Sequence, residues 1–432
     1  MGSVGHNSLL SLYDLIWSAA LPMLRRHARV GTGFDQRTLG SRPLPGVDLW
    51  IQAASAGEAY LAGLLARGLQ PRGPLRVLFT TNTQQGHEIL EKTVGPAAPG
   101  MHAHISTFIR YLPFDQPRIM ARAVAQAHPR AAILLETELW PAMLHYLKQS
   151  GCPVLLLNGR LTPKSVNRYR ALCTDWTCLA PDRVEAISRE DARRFRRIFP
   201  HTPIRIMNNM KFDRIAAPRS VPDAKLDLDN IISAAHPLAV LGSIRQPEEA
   251  EVAGMLDTIL SHCPDAQVAL VPRHMHRVSA WGDRLSKRGL PWVRRSRLNA
   301  PCGPGRVILW DTFGELPALY RRSRAVFVGG SLAPLGGQNF LEPLTCGIAP
   351  VIGPHWDNFK WVGQELFRQG LVRKVADGSA AADQLLKDLQ RTPCRRSVAA
   401  GALAFIRRRQ GGTRQGCRLV EEYLYDRIHR PY

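Results

Sequence analysis

The amino-acid sequence predicts an α/β protein of two doubly wound, Rossmann-like domains with a cleft between them. A chain of 432 residues is long enough for two or three domains at roughly 100–200 residues each. Short aliphatic runs recur along both halves, each followed by a glycine-containing turn and a helical pattern. Continuously apolar strands that alternate with helices indicate parallel sheets covered on both faces. A composition of 45% apolar and 21% charged residues excludes a mainly disordered chain and a polytopic membrane protein.

The first element is an apolar stretch over residues 9–23, which only two serines and Asp14 interrupt. Arg25, Arg26 and Arg29 follow it, whereas a secretory signal carries its positive charge before the apolar stretch. At about 1.5 Å per residue the stretch is shorter than a ~30 Å hydrocarbon core, so a true span is the least favoured of three alternatives. The other two are a helix in the cytoplasmic leaflet and an amphipathic helix docked on the first domain. We expect residues 1–30 to form a membrane-associating segment.

Nine runs are expected to form the strands of the two sheets. They cover residues 49–53, 77–81, 132–135 and 154–157 in the first half, and 238–241, 268–271, 307–310, 325–328 and 349–352 in the second. A polar, proline-bearing stretch separates the two sets. The sequence therefore predicts a first domain over residues 31–216, a linker over residues 217–235 and a second domain over residues 236–432.

Polar or glycine-rich segments follow five of these runs directly. They are SAGE at 55–58, ETE at 136–138, PRH at 272–274, DTFGE at 311–315 and GGS at 329–331. In open parallel sheets, ligands bind outside the carboxyl ends of the strands. Five such coincidences indicate a single site between the two domains.

Several segments of the second half suit a nucleotide, although each has a simpler alternative. Residues 329–339 are glycine-rich, so their N–H groups either bind an anion or form a tight turn. They match neither the P-loop nor the dinucleotide fingerprint, which disfavours both of those classes. Arg273 is expected either on a phosphate or in a surface salt bridge. Glu315 and Glu342 either accept hydrogen bonds from ribose hydroxyls or complement a helix dipole.

Carboxylates of the first half are candidates for catalysis. Glu58 begins a helix after an apolar strand, where it is either a general base or a capping carboxylate. Glu136 and Glu138 lie together at a strand end, and two carboxylates there are costly unless a cation meets them. Lys211 is one candidate for that cation.

Little in the sequence indicates a metal site or a nucleic-acid site. Asp227 and Asp229 match the DxD box of some glycosyltransferases, but they fall in the polar linker. The eight cysteines form no CxxC pair and are expected as reduced thiols. A net charge of +22 predicts an anionic partner, yet no RNP, KH or zinc-finger signature accompanies it.

A set of motifs in a fixed order carries a family resemblance. The motifs are WIQAASAGE (50–58), ETELWP (136–141), NGRLTPKS (158–165), NMKFD (209–213), PRH (272–274), DTFGELPALY (311–320), FVGGSLAPLGGQNFLEP (327–343) and GPHWDNF (353–359). With them the chain resembles the 3-deoxy-D-manno-octulosonic acid (Kdo) transferases, GT-B glycosyltransferases that add Kdo to the lipid A precursor at the inner membrane. The resemblance spans about residues 9–375.

The resemblance implies roles for particular residues of this chain. Residues 31–216 would bind the acceptor and residues 236–432 the CMP-sugar. Glu58 would be the catalytic base, and Glu136 and Lys211 would stabilise the transition state. The nucleotide-binding residues that it implies are Pro272, Arg273, Phe313, Gly314, Glu315, Asn339, Phe340, Leu341 and Glu342.

The activity that the resemblance implies is inverting transfer of Kdo from CMP-Kdo to lipid IVA, in lipopolysaccharide core biosynthesis. Neither a cofactor nor a metal is expected, and the expected partners are CMP-Kdo, lipid IVA and an anionic membrane surface on the cytoplasmic face of the inner membrane, without nucleic acid. The chain departs from the family at Gln338, usually His, and at Asn208, usually Gly. The alternatives are another GT-B nucleotide-sugar enzyme with a different donor or acceptor, a nucleic-acid-binding protein and a catalytically silent membrane scaffold.

Overall fold

The structure, a computed structural model, describes residues 2–27, 31–40, 42–172, 179–215 and 228–426. The chain forms two compact units: the first unit contains residues 1–214 and 409–432, and the second unit contains residues 215–408. The prediction that the second domain runs to residue 432 is wrong, because Cys417, Val420 and Leu424 are buried in the core of the first unit. The apolar face of a last helix does not reveal in the sequence which sheet it covers.

A parallel sheet of seven described strands forms the centre of the first unit. The strands are β1 (Leu49–Gln52), β2 (Leu75–Thr81), β3 (Ile105–Tyr111), β4 (Ala131–Leu135), β5 (Val154–Gly159), β6 (Arg183–Ala186) and β7 (Ile204–Ile206). The helices are α1 (Gly2–Leu24), α2 (Phe34–Arg37), α3 (Ala56–Gly68), α4 (Gln84–Val94), α5 (Pro117–Ala127), α6 (Pro141–Gln149), α7 (Pro163–Leu172) and α8 (Arg189–Arg196). The strand order is β3-β2-β1-β4-β5-β6-β7, so the winding reverses between β1 and β4.

The second unit repeats this plan among its described residues. Its strands are β8 (Leu238–Ile244), β9 (Gln267–Pro272), β10 (Trp292–Arg294), β11 (Arg306–Leu309), β12 (Ala325–Val328), β13 (Val351–Ile352) and β14 (Arg373–Lys374). Its helices are α9 (Glu249–His262), α10 (Val278–Lys287), α11 (Leu316–Arg322), α12 (Leu341–Thr345), α13 (Glu365–Arg368), α14 (Gly378–Leu389) and α15 (Arg395–Arg407), and α16 (Gly412–Glu421) returns to the first unit. The order β10-β11-β9-β8-β12-β13-β14 places the reversal between β8 and β12.

The nine predicted strands are all present, and two doubly wound sheets confirm the predicted fold class. The sequence missed β3, β6, β7, β10 and β14. Four of these five are the outermost strands of their sheets. A strand at a sheet edge is partly exposed and carries polar residues, as the mixed burial of β3 shows. Its sequence therefore lacks the continuous apolar run by which central strands are recognised.

Helices cover both faces of the central strands. All residues of β4 are completely buried. Ala132 and Leu134 pack in the cluster on one face of the sheet, whereas Ile133 and Leu135 pack in the cluster on the other. Successive side chains of a strand point to opposite faces, so an unbroken apolar run supplies both clusters at once.

The N-terminal helix α1 docks on the first unit. The core of the first unit packs against three side chains of α1, Tyr13, Trp17 and Leu21. The Tyr13 hydroxyl donates to Asp115 Oδ2 at 3.0 Å. Asp14, the interruption in the apolar stretch, pairs with Arg118 at 2.9 Å. The docked alternative is therefore confirmed by contacts. No described helix combines the length and the apolar character that a membrane crossing requires.

The linker that was predicted over residues 217–235 is shorter in the structure. Residues 216–227, and with them Asp227 of the DxD match, lie outside the described residues. Leu228, Ile231 and Ile232 are buried, and Ile232 forms a bridge with Cys302. Residues 228–232 thus belong to the packed second unit, because their apolar side chains reach its interior. The six described cysteines are free thiols, in agreement with the reduced state that was expected.

Candidate active site

The candidate catalytic residues of the first unit lie at the point where the winding of its sheet reverses. Glu58 follows β1, and Glu136 follows β4, the strand that pairs with β1 in parallel register. Crevices at such reversals are where open α/β sheets bind ligands. The topology therefore brings together two carboxylates that are far apart in the sequence.

The Glu58 side chain is held by the turn that precedes it. Ser55 caps α3, and its hydroxyl donates to Glu58 Oε1 at 2.9 Å. The N–H of Ala54 donates to Glu58 Oε2 at 2.7 Å. The capping alternative is therefore confirmed, and it fixes the orientation of a carboxylate that is only 7% exposed. The role of Glu58 as a base stays a prediction.

The environment of Glu58 makes its carboxylate a stronger base than an ordinary glutamate. Burial, together with the negative charges of Glu138 and Glu136, raises the pKa of Glu58 to about 8, against the weaker opposing effect of its two hydrogen bonds. Burial also raises the pKa of Glu138, which accepts from Trp140 Nε1 at 2.7 Å. A carboxyl whose pKa lies near the working pH is suited to proton transfer.

Lys211 supplies the cation that the two carboxylates were expected to need. Its Nζ lies 2.5 Å from Glu136 Oε1, so the predicted contact is confirmed. Asn158 Nδ2 donates to the same oxygen at 3.4 Å. Asn158 also accepts from the N–H of Met210 at 2.8 Å, next to the lysine. One asparagine thus bonds to Glu136 and to the residue that precedes Lys211.

The backbone at this pair is held in an uncommon conformation. Glu136 has a φ of 58° and Asn158 a φ of 56°, in the left-handed region that non-glycine residues seldom adopt. The N–H of Glu136 donates to Leu157 O at 3.0 Å, which joins the ends of the two strands. Such conformations cost about 1–3 kcal/mol each and persist where the surroundings hold them, often at functional sites.

The segment that carries Lys211 is anchored by the C-terminal part of the chain. Both oxygens of Asp213 accept N–H groups at the start of α16, from Gly411 and Thr413, at 2.6 Å each. Asn208, which departs from the family pattern, donates through Nδ2 to Gln410 O at 2.7 Å. The departure therefore adds a bond between these segments instead of loosening the site.

A buried carboxylate occupies part of the glycine segment in the second unit. Glu248 accepts from the N–H groups of Gly330, Ser331 and Leu332, at 2.5, 3.2 and 3.3 Å. For these three N–H groups the expectation that they bind a ligand anion is wrong, because an internal carboxylate already fills their concavity. A Cβ at Gly329 would lie 2.5 Å from Glu248 Oε1, which explains the glycine there.

Arg273 follows β9 and is available to a ligand. Its N–H donates to Ile244 O at 2.8 Å, which places the residue beside the end of β8, while Pro272 is the last residue of β9. The side chain is exposed, and within the described residues its guanidinium has no ion-pair partner. The alternative that Arg273 forms a surface salt bridge is therefore not supported within the described residues.

Glu315 is engaged by three side chains of its own unit. Arg295 donates twice to it at 3.0 Å, and Trp310 Nε1 and the Thr312 hydroxyl donate at 2.8 and 2.7 Å. Three of these bonds end on Oε2 and one on Oε1, so only Oε1 keeps acceptor capacity, and hydrogen bonds from ribose hydroxyls to this side chain stay a prediction. Binding by the segment Phe313, Gly314 and Glu315 would use its backbone and the Phe313 ring, which is 78% exposed.

The remaining predicted residues lie at the start of α12. Asn339 accepts from the N–H of Leu341 at 3.2 Å and donates to Glu342 Oε1 at 2.9 Å, whereas Phe340 is buried. The neighbouring GPHWDNF motif supports the glycine segment, because the N–H of Asn358 donates to Gly336 O at 2.9 Å. A Cβ at Gly336 would lie 2.5 Å from Asn358 Nδ2.

Sequence reasoning missed Asn158, Glu248 and Arg295. Asn158 had a signal, since it directly follows a predicted strand and opens the NGRLTPKS motif. Glu248 lies three residues after Arg245, whose N–H donates to Glu248 Oε1 at 2.9 Å, but without a Ser or Thr at residue 245 the sequence carried no capping-box signal. Arg295 belongs to a run of arginines and had no signal. Among the described residues, no cluster of three or more His, Cys, Asp or Glu side chains is arranged to hold a metal ion.

Comparison with known proteins finds relatives that share one family description. The family model described as 3-deoxy-D-manno-octulosonic-acid transferase (kdotransferase) matches residues 25–214. A 3-deoxy-D-manno-octulosonic acid transferase of Bordetella pertussis is 30% identical over 433 residues, which cover 96% of this chain and 98% of that protein. The Haemophilus influenzae protein of the same name is 32% identical and covers 79% of this chain and 78% of its own length.

Solved structures of other proteins share the fold at low identity. A glycosyltransferase from Rickettsia africae has a TM-score of 0.55 at 12% identity and covers 88% of this chain and 99% of its own. A UDP-N-acetylglucosamine 2-epimerase has a TM-score of 0.54 at 14% identity and covers 90% of this chain and 98% of its own. At these identities the similarity shows the fold alone.

The two doubly wound parallel sheets, with polar residues at the carboxyl ends of their strands, define a protein of the GT-B fold. Within that class, the two curated relatives and the matched N-terminal region identify the family. The chain belongs to the 3-deoxy-D-manno-octulosonic acid transferase family.

Proposed function

We propose that this protein is an inverting glycosyltransferase that moves Kdo from CMP-Kdo to lipid IVA, in lipopolysaccharide core biosynthesis. The observation that carries the proposal is the Glu58 carboxylate, which is buried at the reversal point of the first sheet and has a pKa of about 8. Family membership supports the donor sugar, since the relatives are named as transferases of this sugar.

In the proposed reaction, Glu58 takes the proton of an acceptor hydroxyl. The acceptor oxygen forms a bond to the anomeric carbon of Kdo while the bond from that carbon to the CMP phosphate oxygen breaks. Attack opposite to the leaving group inverts the centre. Ser55 and Ala54 keep the Glu58 oxygens in place, and the Glu136–Lys211 pair stabilises charge in the transition state.

The proposed donor site uses residues of the second unit. The guanidinium of Arg273 would bind the CMP phosphate, because it is exposed and suits a phosphate bidentately. The segments of Phe313 and Asn339 would hold the cytidine, with Pro272, Gly314, Glu315, Phe340, Leu341 and Glu342 as their neighbours. The reaction so described needs neither metal nor cofactor.

Helix α1 supports the proposed place of the reaction at the cytoplasmic face of the inner membrane. Leu12, Leu15, Ile16 and Met23 are 55–77% exposed although α1 is docked. Arg25 and Arg26 follow the helix, and the whole chain carries a net charge of +22. An apolar helix face next to basic residues is typical of binding to anionic membrane surfaces. We expect Leu15→Ser with Ile16→Ser to reduce co-sedimentation with phosphatidylglycerol vesicles.

Mass spectrometry of lipid IVA after incubation with CMP-Kdo and the purified protein tests the proposed activity. The expected product carries one or more Kdo residues, and UDP-sugars should give none. Thermal-shift measurements with CMP and UDP provide the matched control, since CMP alone should protect the folded protein. Protection by UDP without Kdo transfer would instead support another GT-B nucleotide-sugar enzyme.

A further inference from the structure

A basic cavity in the second unit lies apart from the candidate active site. It has a volume of about 620 Å³, and its lining includes Arg322, Arg324, Arg395, Arg396, Thr392 and Ser397. No residue that lines it in the described part of the chain is acidic. Several guanidinium groups around one concavity produce a positive potential that favours the binding of an anion.

One of the four arginines is fixed in place by the protein itself. Arg395 donates to the carbonyl oxygens of Tyr320 and Cys346 at 3.5 and 3.4 Å, and also to that of Ser323. Burial lowers the pKa of Arg395, and the charge of Arg322 acts in the same direction. The cavity wall is therefore rigid on this side, and the two charges lie near each other.

Two of the remaining three arginines have no such structural task. Arg324 and Arg396 are exposed, and neither has an ion-pair partner within the described residues. They supply the mobile donors of the cavity. Guanidinium groups in this state bind phosphate oxygens in a bidentate manner.

The helix that borders the cavity has no negative charge in its first turn. Helix α15 begins at Arg395, has 13 residues and carries no acidic residue in its first turn. Its cap residue, Cys394, makes no side-chain capping bond. The N-terminal end of a helix carries a partial positive charge, so Arg395 and Arg396 are unfavourable there unless an anion is bound.

The position of the cavity separates it from the proposed donor site. Arg324 precedes β12, whereas the glycine segment follows the same strand, so the two lie about 16 Å apart at a rise of about 3.3 Å per residue. The cavity thus faces the amino end of the sheet. The donor-site residues Arg273 and Phe313 follow strands at its carboxyl end.

From this geometry we infer that the cavity between α11 and α15 is a second anion site that binds a phosphate group. The cavity supplies four positive side chains, two hydroxyls and a helix N-terminus, and it contributes no carboxylate. The phosphate belongs either to a small soluble ligand or to a lipid headgroup. Both present the same oxygens to the arginines.

Calorimetric titration of the full-length protein with inorganic phosphate and pyrophosphate tests the soluble source. Arg324→Gln with Arg396→Gln should weaken the binding about tenfold or more, because the variant lacks both exposed guanidinium groups that would donate to the phosphate. Arg306→Gln with Arg368→Gln is the matched control, since both residues are exposed arginines of the same unit outside the cavity. The control should bind as the wild type does.

Vesicles of phosphatidylcholine with 30% phosphatidylglycerol test the lipid source, with the same two double variants. If the Arg324 and Arg396 variant loses binding and the control does not, the site is supported. Loss of phosphate binding then indicates a soluble ligand, and loss of vesicle binding indicates a lipid headgroup. Arg273→Gln should leave this binding intact. Equal binding by both double variants to phosphate and to vesicles, or binding that disappears only with Arg273→Gln, would overturn the inference.

Discussion

Glu58 and Glu248 are two buried carboxylates in corresponding places of the two sheets, yet they are held in different ways. Each follows the strand at which the winding reverses, β1 in the first unit and β8 in the second. Among the described residues, Glu58 accepts hydrogen bonds only from neighbours in its own turn, Ala54 and Ser55. Glu248 accepts three N–H groups from a segment 82–84 residues further along the chain.

This difference separates a carboxylate available for chemistry from one used to build a loop. The bonds of Glu58 orient it but do not offset its burial next to Glu136 and Glu138, so its pKa is about 8. Burial raises the pKa of Glu248 too, but four N–H groups oppose that effect. By accepting N–H groups of the glycine segment, the Glu248 carboxyl stabilises the conformation of that segment. A carboxylate whose oxygens accept N–H groups from a distant segment is not available to a ligand.

The largest expected effect is on catalysis at Glu58. Glu58→Gln keeps the size and the hydrogen-bonding position of the side chain but cannot accept a proton. Its kcat for Kdo transfer should fall by about 10²–10⁴, the usual contribution of a general base. Radiolabelled CMP-Kdo transfer measures the rate, and circular dichroism should show an unchanged fold. Near wild-type turnover by this variant would remove Glu58 from the mechanism.

At the donor site, Arg273→Ala should reduce the transfer rate by about 10²–10³, the usual loss when a preorganised donor to transition-state charge is removed. The melting temperature should not change, because the guanidinium makes no ion pair with the described residues. Arg306→Ala, another exposed arginine of the second unit, is the control and should retain full activity. Equal rates for the two variants would contradict a phosphate contact at Arg273.

Glu248→Ala should act on stability first. The change leaves buried N–H groups of Gly330, Ser331 and Leu332 without an acceptor, at about 1–3 kcal/mol each, so the free energy of unfolding should fall by about 3 kcal/mol or more. Urea denaturation measures it, with the exposed Asp283→Ala as a control expected within about 0.5 kcal/mol of wild type. A drop as small as that of the control would show that the loop does not depend on this carboxylate.

The smallest expected effect is the pH dependence of stability at Glu58. Its pKa is raised from 4.5 to about 8 on folding, so the native state retains a proton that the unfolded state releases. This contribution to stability is fully present below pH 4.5 and is lost as pH rises through 8. Glu58→Gln stays neutral, and its melting temperature relative to wild type should rise by about a few degrees between pH 5 and pH 9. A constant difference between the two proteins would place the Glu58 pKa near its ordinary value.

Local patterns in the sequence revealed some of these contacts and not others. The Ser55 and Glu58 spacing is that of a capping box, and an adjacent pair of carboxylates called for a cation, which is Lys211. No pattern indicated that Arg295 would form an ion pair with Glu315 or that α16 would pack on the first unit. Other helices and strands separate these partners in the sequence. The sequence around a side chain does not indicate a partner that comes near it only when the chain folds.

The sequence by itself determined the two parallel sheets and the polar ends of their central strands. Burial on both faces demands continuous apolar runs, and such runs are visible without a structure. Only the tertiary structure decided which polar groups are already satisfied from within. Donors from elsewhere in the unit occupy Glu248 and Glu315, whereas the bonds to Glu58 come from its own turn and the Arg273 guanidinium has no ion-pair partner among the described residues. Hydrogen bonds between distant segments depend on where the chain returns, which the winding of the whole sheet determines and no local run of residues encodes.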